Sequence, residues 1–577
     1  MTAIEIRNRM LEAVSKNGGH LASSLGAVEI AMALAEVFDP RVDRVVWDVG
    51  HQSYAWKILT GRADRFSTLR KLDGISGFPN PNESPCDAAF AGHAGAAIST
   101  ALGFAAARDR KGTGEHVIAV VGDSAIANGM SFEAMNNCAA TTRRLIVVLN
   151  DNDMSISKPA GSFANVLGRL TSGVGYNRAK NAAKKAGRAL RLSFLYGGVH
   201  WVKNRLKTLV LRDMWFEQFG LHYLGPVDGH DLVALKSALT AAKEETRPVL
   251  VHVVTRKGHG YAPAEKDPTA WHGVGPFAWP PQVPSEAAPP SRPRAPSWSE
   301  VFGAALTAAA RGDERVVALT AAMKDGTGLV GFARAFPGRF FDVGIAEEHM
   351  VAFAGGLAAG GLRPVVAVYS TFLQRAVDQV MHDVCLANLP VVFCVDRAGV
   401  VGADGVTHQG VFDIAMLRAL PNLTICQPKD ADDLEALLGE ALERKGPTVI
   451  RYPRGCAVSA TSSAPRPAPA QPTVAVWATG DWYGRACAVA DAVGGVAVHA
   501  RYLKPFDAGL LAEQRRRGLK IVSLENGSVA GGFGEAIGAD IRFGWPDEFI
   551  PHGTAAELER RYGLDVESVV RTLRQSL

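Results

Sequence analysis

The chain has 577 residues, which is too many for one hydrophobic core and predicts about three domains. Its hydrophobic content of 47%, charged content of 21% and net charge of +5 are those of an ordinary globular enzyme, so we expect no nucleic-acid-binding role. The seven cysteines lack metal-ligand spacing, and neither a signal peptide nor an apolar run of about 18 residues occurs, which predicts a cytoplasmic protein with reduced thiols.

Apolar, β-rich runs alternate with helical stretches along the whole chain. Continuous apolar strands separated by helices are typical of parallel sheets covered on both faces. The sequence therefore predicts an α/β fold of three consecutive domains with mainly parallel sheets. The runs, in chain order, are HVIAVVGD, RLIVVLND, PVLVHVVT, RVVALTA, RPVVAVYS, LPVVFCVD, LTICQP, TVAVWATG, GVAVHAR and LKIVSLEN.

Two proline-rich stretches divide the chain, PFAWPPQVPSEAAPPSRPRAPSW at 276–298 and SATSSAPRPAPAQPT at 459–473. Neither a helix interior nor an inner strand tolerates so many prolines, so both stretches contain linkers. The predicted organisation is an α/β domain at 1–285, a linker at 286–298, a second α/β domain at 299–458, a linker at 459–473 and a third α/β domain at 474–577.

Polar side chains end two neighbouring predicted strands of the first domain. Asp123 follows VVG, and Asn152 follows the run that ends in LND. The carboxyl ends of parallel strands meet at one sheet edge, and a helix starting near Met130 would direct its N–H groups there. Mg²⁺ bound between these oxygens and a phosphate fits this chemistry. For an isolated Gly-Asp, the alternative is a helix cap at Asp123 and a turn at Asn152.

The separation of GDS and NDN resembles the diphosphate motif of thiamine-diphosphate enzymes. In those enzymes a Gly-Asp-Gly is followed some thirty residues later by Asn. The resemblance implies that Asp123, Asn152 and the main-chain carbonyl of Met154 hold Mg²⁺ beside the cofactor's diphosphate.

The resemblance then extends over nearly the whole chain and is closest to the 1-deoxy-D-xylulose 5-phosphate synthases. It implies a transketolase-like fold, a homodimer, and a thiamine-diphosphate-dependent reaction of pyruvate with D-glyceraldehyde 3-phosphate. The products in that family are CO₂ and 1-deoxy-D-xylulose 5-phosphate, a precursor of isoprenoids, thiamine and pyridoxal. The stretches that carry the resemblance include SKNGGHLASSLGAVE, VWDVGHQSYAWKILTGR, NDNDMSIS, YLGPVDGHD, GYAPAEKDP, DVGIAEEHM, YSTFLQRAVDQVMHDV, DRAGVVGADGVTHQG, RYPRG, LKPFD, GGFGEAI and FIPHGT.

Glu347 in IAEEHM matches the family's carboxyl group that bonds the cofactor's aminopyrimidine ring. An apolar pocket favours the protonated state of such a carboxyl. Taken alone, Ala-Glu-Glu-His would instead be the acidic first turn of a helix. The resemblance surrounds Glu347 with Tyr369 and Phe372, and it implies that Ile156 holds the cofactor in its bent form, although an Ile near a strand end is also a common core residue.

The resemblance assigns histidines to the cofactor's reactive end. His20, His51 and His93 match residues near the thiazolium and diphosphate, and Tyr261 and His272 match residues of a segment that closes over them. Imidazole titrates near neutral pH, so it suits proton transfer. Each histidine taken singly could equally be a hydrogen-bonded turn residue. The implied cofactor contacts also include Gly92, Ala94, Ser124 and Ala125.

Charged residues of the second domain match the family's acceptor site. Arg397 and Arg454 match the pair that binds the acceptor phosphate, where a guanidinium fork fits phosphate oxygens. Asp404 and His408 match residues that contact the aldehyde and its hydroxyls. Without the resemblance, arginines at strand ends are more often surface ion pairs. The resemblance also implies that Tyr369 and Arg375 line the channel of this acceptor site.

The chain departs from the family pattern near the diphosphate. Ser124 replaces the last Gly of the metal motif, and a positive φ at that position would strain it. GHAGAAIS replaces the hydroxyl-rich GHSSTSIS, which leaves the N–H groups of Ala94 and Gly95 as the expected donors. Ser24 stands where Gly is expected.

Two other functions remain open from the sequence. One is a transketolase-like carboligase with another donor or acceptor. The other is a non-catalytic relative that uses the same fold for binding. Such a relative would be expected to have lost Glu347, Asp123 or Asn152, and this chain retains all three.

Overall fold

The computed structural model describes residues 1–152, 215–280, 295–457 and 471–577. Its chain contacts divide it into two compact units. The first unit comprises residues 1–69 and 75–280, and the second comprises residues 70–74 and 281–577. Within the described ranges, every helix is too short or too polar to cross a membrane.

The first unit is built on a five-stranded parallel sheet of order β2-β3-β4-β6-β5. Its central strands are buried along almost their whole length, which explains their continuous apolar runs. A separate antiparallel pair joins β1 to β7. The strands of this unit are β1 (Gly19–His20), β2 (Arg44–Trp47), β3 (Val117–Gly122), β4 (Ile146–Asp151), β5 (His222–Asp228), β6 (Val249–Val254) and β7 (Gly273–Val274).

Helices accompany this sheet, and two of the long ones begin at side-chain caps. Thr2 and Glu5 form a capping box on the first helix, while Asp231 accepts two backbone N–H groups at the start of another. The described α-helices of the first unit are Ala3–Asn17, Ala22–Gly26, Val28–Val37, Tyr54–Lys57, Ala97–Lys111, Asp123–Ile126, Gly129–Thr141, Trp215–Gln218, Leu232–Glu244 and Ala262–Lys266.

The second unit contains two sheets. The larger has seven strands in the order β16-β12-β13-β11-β10-β8-β9, all parallel except β16, and the smaller is a parallel sheet of order β15-β14-β17-β18. The strands are β8 (Val316–Thr320), β9 (Phe340–Asp342), β10 (Arg363–Tyr369), β11 (Val392–Asp396), β12 (Thr424–Cys426), β13 (Thr448–Arg451), β14 (Val474–Thr479), β15 (Val496–Ala500), β16 (Tyr502–Lys504), β17 (Lys520–Ser528) and β18 (Ile541–Trp545).

Apolar helix faces and the buried faces of these sheets form the cores of the second unit. The helix Glu347–Ala359 is apolar on most sides and places its first residue at the edge of the larger sheet. The described α-helices of this unit are Trp298–Gly312, Val330–Ala335, Glu347–Ala359, Ser370–Leu373, Val377–Gln379, Asp413–Leu417, Ala431–Glu443, Tyr483–Val493, Ala508–Arg516, Phe533–Ala536, Ala555–Arg561 and Val566–Ser576.

The predicted α/β fold with mainly parallel sheets is confirmed, and each apolar run quoted above forms a strand. Strands that the sequence did not indicate are short or lie at sheet edges, as β5 does with its half-exposed HYLGPVD. The strand β16 follows the predicted second linker but adds to the larger sheet, antiparallel to β12. The predicted domain boundaries remain a prediction.

Candidate active site

Asp123 and Asn152 lie side by side at the carboxyl edge of the first sheet. β3 ends at Gly122, and Asp123 begins the short helix Asp123–Ile126. The Asp123 carboxylate is buried, and its Oδ2 accepts the Asn152 N–H at 3.3 Å. The side-chain Oδ1 of Asn152 is buried without a hydrogen-bond partner. A carboxylate beside an unsatisfied amide oxygen is a donor set that suits Mg²⁺.

Ser124 occupies a right-handed helical position, so the strain considered from its sequence does not arise. Its N–H donates to Asp123 Oδ1 at 2.7 Å, and its Oγ lies 3.4 Å from the same oxygen. Glycine would supply the same N–H, so the serine at this position adds only the longer Oγ contact to the carboxylate.

Asp48 accepts hydrogen bonds from the loop at residues 92–97, and the sequence did not indicate it as a site residue. The Gly95 N–H donates to both carboxylate oxygens of Asp48, at 2.9 and 3.0 Å, and the Ala97 N–H donates to Oδ2 at 3.0 Å. The expectation that the Gly95 N–H serves a ligand is therefore wrong, because a buried carboxylate already occupies it. Gly92, His93 and Ala94 lie in the same loop.

The helix predicted near Met130 begins at Gly129, because Asn128 caps it by accepting the Met130 N–H at 3.0 Å. Gly95 must be Gly here, since it has a φ of +86° and an added Cβ would lie 2.3 Å from Asn128 Oδ1. The Ala125 carbonyl accepts the Ser131 hydroxyl at 2.9 Å. This turn therefore packs directly against the loop at residues 92–97.

Three predicted histidines form a cluster. Strand β1 pairs His20 with Gly273 of β7, which brings the neighbouring His272 close. The ring centroids of His20 lie 6.1 Å from His51 and 5.7 Å from His272, and those of His51 and His272 lie 5.5 Å apart. The structure therefore groups these three imidazoles within the first unit, while their predicted roles toward the cofactor stay predictions.

The imidazoles of His51 and His272 are neutral at physiological pH. Burial, and then neighbouring positive charge, places both pKa values well below the ordinary value for histidine. Ser23 Oγ lies 3.2 Å from His272 Nδ1, while His51 Nδ1 is buried without a hydrogen-bond partner. The unexpected Ser24 donates its hydroxyl to the His51 carbonyl at 2.8 Å.

Lys257 is a second site residue that the sequence reading missed. Its side chain is 4% exposed, and burial lowers the pKa of its ammonium to about 8 against the opposing effect of Asp123. The signal was available, because Lys257 follows the end of β6 and precedes Tyr261 in a Gly-flanked stretch. Tyr261 itself packs edge-on against Trp271 at 5.1 Å.

One group of three metal-type ligands occurs within the described ranges, formed by Glu29, His230 and His259. The guanidinium of Arg7 occupies both Glu29 oxygens at 2.8 Å, and His230 Nε2 accepts the Arg256 N–H at 2.8 Å. A cation would have to displace that guanidinium, so this group is an ion-pair network rather than a metal site.

Glu347 is the first residue of the helix Glu347–Ala359 and is 3% exposed. Burial raises the pKa of its carboxyl group to about 7, while Arg375 opposes the rise and Glu348 adds to it. Its Oε2 has no hydrogen-bond partner. A buried carboxyl that holds a proton near neutral pH and has an open oxygen can bond a ligand's ring nitrogen.

Tyr369, Phe372 and Arg375 lie at the end of β10 and in the helical turns that follow it. The rings of Tyr369 and Phe372 stack at 5.8 Å, and Phe372 meets His408 edge-on at 5.7 Å. Burial lowers the pKa of His408, whose Nδ1 lies 2.8 Å from Thr407 Oγ1. Arg375 Nη1 is buried without a hydrogen-bond partner.

The predicted phosphate-binding arginines have acidic neighbours. Arg397 Nη1 lies 3.0 Å from Asp396, and its guanidinium carbon lies 3.7 Å from the Tyr369 ring centroid. Asp404 pairs with Arg454 at 3.3 Å and with Arg70 at 2.7 Å. Arg70 was not predicted, because it is far from Asp404 in sequence. The Arg454 side chain is about half exposed.

In the first unit the structure brings Asp123 beside Asn152 and groups His20 with His51 and His272. In the second unit it brings Tyr369 beside Phe372 and Arg397, and Asp404 beside Arg454. Met154 and Ile156 lie outside the residues that the structure describes, so their predicted roles as metal ligand and cofactor support remain predictions.

Comparison with protein families adds evidence of another kind. Residues 1–255 match the family model described as 1-deoxy-D-xylulose-5-phosphate synthase. Residues 294–457 match the model of the transketolase pyrimidine-binding domain.

Curated relatives match over nearly their full length. The chain is 46% identical to the 1-deoxy-D-xylulose-5-phosphate synthase of Desulforudis audaxviator, over 99% of this chain and 93% of that protein. It is also 46% identical to the Pelotomaculum thermopropionicum synthase, with the same two coverages. The Natranaerobius thermophilus synthase is 44% identical, over 99% of this chain and 94% of that protein.

Proposed function

The chain belongs to the 1-deoxy-D-xylulose 5-phosphate synthase family, and on that premise we propose how its residues carry out the family reaction. It is a transferase that uses thiamine diphosphate to join pyruvate to D-glyceraldehyde 3-phosphate, releasing CO₂ and forming 1-deoxy-D-xylulose 5-phosphate. The observation that carries the site proposal is the buried carboxyl of Glu347, with its raised pKa and open oxygen.

Thiamine diphosphate, when bound, supplies the carbanion chemistry that no side chain provides. We assign Glu347 to its aminopyrimidine ring, because a carboxyl that holds a proton at Oε2 near pH 7 can share it with a ring nitrogen. Phe372 and Tyr369, whose rings stack on each other, would provide the apolar and aromatic lining that favours this protonation state.

The diphosphate end of the cofactor is assigned to Asp123, Asn152 and Lys257. Asp123 and the orphaned Oδ1 of Asn152 would hold Mg²⁺, and the buried Lys257 ammonium would add positive charge. A buried, lowered-pKa ammonium beside a carboxylate is stabilised when an anionic ligand arrives.

Proton transfer is assigned to the histidine cluster. His51 and His272 are neutral, so each ring has one N–H donor and one acceptor nitrogen. His20 lies within 6.1 Å of both by ring centroid, which allows a proton accepted by one imidazole to be passed on. These groups suit proton exchange with the donor's and product's oxygens.

The acceptor is assigned to the second unit. Arg397 and Arg454 would bind the phosphate of D-glyceraldehyde 3-phosphate through their guanidinium forks. Asp404 and His408 would bond the acceptor's aldehyde and hydroxyl oxygens, and Arg375 completes the lining.

A product assay tests the function directly. Purified protein is incubated with Mg²⁺, thiamine diphosphate, pyruvate and glyceraldehyde 3-phosphate, and CO₂ and the pentulose phosphate are quantified. Equal molar yields of the two are expected. The transketolase-type alternative, which the family relatives do not favour, predicts ketol transfer from a sugar phosphate and no CO₂. A melting temperature unchanged by cofactor and metal would instead favour a non-catalytic relative.

We also propose a cytoplasmic homodimer. All seven cysteines are free and five are buried, which suits a reducing compartment. Met381 and Leu386 are 47% and 72% exposed on one short segment, and exposed apolar neighbours of this kind suit a subunit interface. Light scattering on the purified protein tests the dimer.

A further inference from the structure

The backbone of Arg397 has a left-handed conformation, with a φ of +60°. Residues other than glycine rarely adopt this region, and they persist there when surrounding contacts determine their position. Such strain is frequent where a side chain must be presented to a ligand. The contacts that hold Arg397 therefore define how its guanidinium is oriented.

The guanidinium of Arg397 is held from one side. Nη1 donates to the Gly326 carbonyl at 3.1 Å and lies 3.0 Å from Asp396 Oδ2. The plane of the group is supported by the Tyr369 ring, 3.7 Å away. Within the described part of the chain, Nε and Nη2 have no hydrogen-bond partner, so these donors remain for a ligand.

Asp396 is fully buried, and its Oδ2 also accepts the Ser299 hydroxyl at 2.6 Å. Burial raises the pKa of the Asp396 carboxyl, and the adjacent Arg397 charge is the largest opposing effect. Ser299 lies on the helix Trp298–Gly312, so the carboxylate is anchored to a rigid element. The buried anion therefore restrains the guanidinium through charge and through a second hydrogen bond.

Gly326 completes the support. A Cβ at this position would lie 1.6 Å from Tyr369 Oη and 3.4 Å from Arg397 Nη2. No side chain fits at position 326 without moving Tyr369. The close approach of the Tyr369 hydroxyl and the Arg397 guanidinium to this part of the backbone therefore depends on glycine.

We propose that Asp396 and Ser299 are positioning residues that fix the Arg397 guanidinium for the phosphate of the acceptor. The inference rests on the proposed function, because it assigns Arg397 to that phosphate. Neither residue touches the acceptor; both act through Arg397. Their removal is expected to weaken discrimination in favour of a phosphorylated acceptor and to leave the pyruvate half of the reaction unaffected.

The test measures kcat/KM for D-glyceraldehyde 3-phosphate and for unphosphorylated D-glyceraldehyde at saturating pyruvate. Asp396→Asn is expected to reduce the ratio of the two values about tenfold, since a buried charged hydrogen bond contributes on that scale. Ser299→Ala, the milder variant, is expected to reduce the ratio about threefold, because it loses one neutral hydrogen bond. The KM for pyruvate should stay within about twofold of wild type, a ratio too small to indicate a lost hydrogen bond.

A double-mutant cycle separates positioning from general damage. Arg397→Ala should abolish most of the phosphate preference, and adding Asp396→Asn to it should reduce the ratio no further. Asp313→Asn is the matched control, because it removes a carboxylate from an exposed ion pair with Arg315 at 2.8 Å, and it should leave the ratio unchanged.

Three results would overturn the proposal. They are equal losses with both acceptors, an unchanged ratio in Asp396→Asn and Ser299→Ala, or a further fall of the ratio in the double variant. Failure of the proposed function is a separate outcome, because wild type would then yield no pentulose phosphate from D-glyceraldehyde 3-phosphate and no pentulose from D-glyceraldehyde.

Discussion

The two groups of site residues differ in how their polar atoms are satisfied. In the first unit, Asn152 Oδ1 and His51 Nδ1 are buried without hydrogen-bond partners. In the second unit, Arg397 is paired with Asp396, and Asp404 joins two further arginines. In the proposed assignment, a bound cofactor and metal would complete the first group, whereas ion pairs already join the arginines of the second group to acidic side chains.

This difference agrees with the ligands proposed for each region. A metal–diphosphate ligand brings its own strong charges, so the surrounding protein can leave its oxygens and nitrogens open. A mobile acceptor phosphate must be recognised quickly and released, which favours guanidinium groups held in position beforehand. The second unit also has open polar atoms, since Glu347 Oε2, Arg375 Nη1 and Asp396 Oδ1 are buried without hydrogen-bond partners.

Replacing Glu347 should have the largest effect on the reaction. Glu347→Gln keeps the shape of the side chain but removes the exchangeable carboxyl proton, and product formation should fall about 10²–10⁴-fold. The neighbouring Glu348→Gln is the matched control and should retain activity. Initial rates at saturating cofactor decide the result, and wild-type rates in Glu347→Gln would remove the assignment.

The same carboxyl predicts a pH-dependent stability of the cofactor-free protein. Its pKa rises from 4.5 to about 7 on folding, so the folded state binds the proton more tightly. Stability should fall as the pH rises from about 4.5 to about 7 and then level off, by about 3 kcal/mol at 1.36 kcal/mol per pKa unit.

Glu347→Gln should lose this component of the pH dependence and be more stable than wild type above pH ~7. Melting temperatures of both proteins between pH ~5 and ~8 provide the measurement. Parallel curves for the two proteins would contradict the raised pKa.

Replacing Lys257 should weaken cofactor binding in the first region and leave acceptor binding in the second region unchanged. Lys257→Met removes a buried cation beside Asp123, and the Kd for thiamine diphosphate with Mg²⁺ should rise about tenfold to a hundredfold. The acceptor KM at saturating cofactor should not change. Calorimetric titration measures the affinity, and exposed Lys266→Met is the control. A change confined to the acceptor would reverse the assignment.

Ser124 should contribute the smallest effect. Ser124→Gly restores the residue that the family resemblance favours, but it places glycine in a helix and should cost about 0.5–1 kcal/mol of stability. Ser124→Ala, which keeps the helix and loses the Oγ contact, is the comparison. Thermal unfolding distinguishes them; a gain in stability for the glycine variant would show that the serine is strained.

Much of this protein was predictable from local sequence. Continuous apolar runs specified the inner strands, because strands buried on both faces tolerate few polar residues. Long motifs indicated the family, because each stretch combines several chemically demanding residues, and the roles proposed for Glu347, Asp123 and Arg397 rest on the same motifs. The edge strands β5 and β16 carry no such pattern and were not predicted.

Only the tertiary structure decided which partners complete the site. Lys257, Asp48 and Arg70 reach their contacts across the fold, and no periodicity links Asp48 to Gly95 or Arg70 to Asp404. The right-handed backbone at Ser124 was likewise undecidable from residue type alone. Local sequence specifies how a segment folds and which chemical groups it carries. Burial and charge pairing, in contrast, arise from residues that are distant in sequence. Burial and charge pairing then determine the pKa values of the site and which hydrogen-bond donors have no partner.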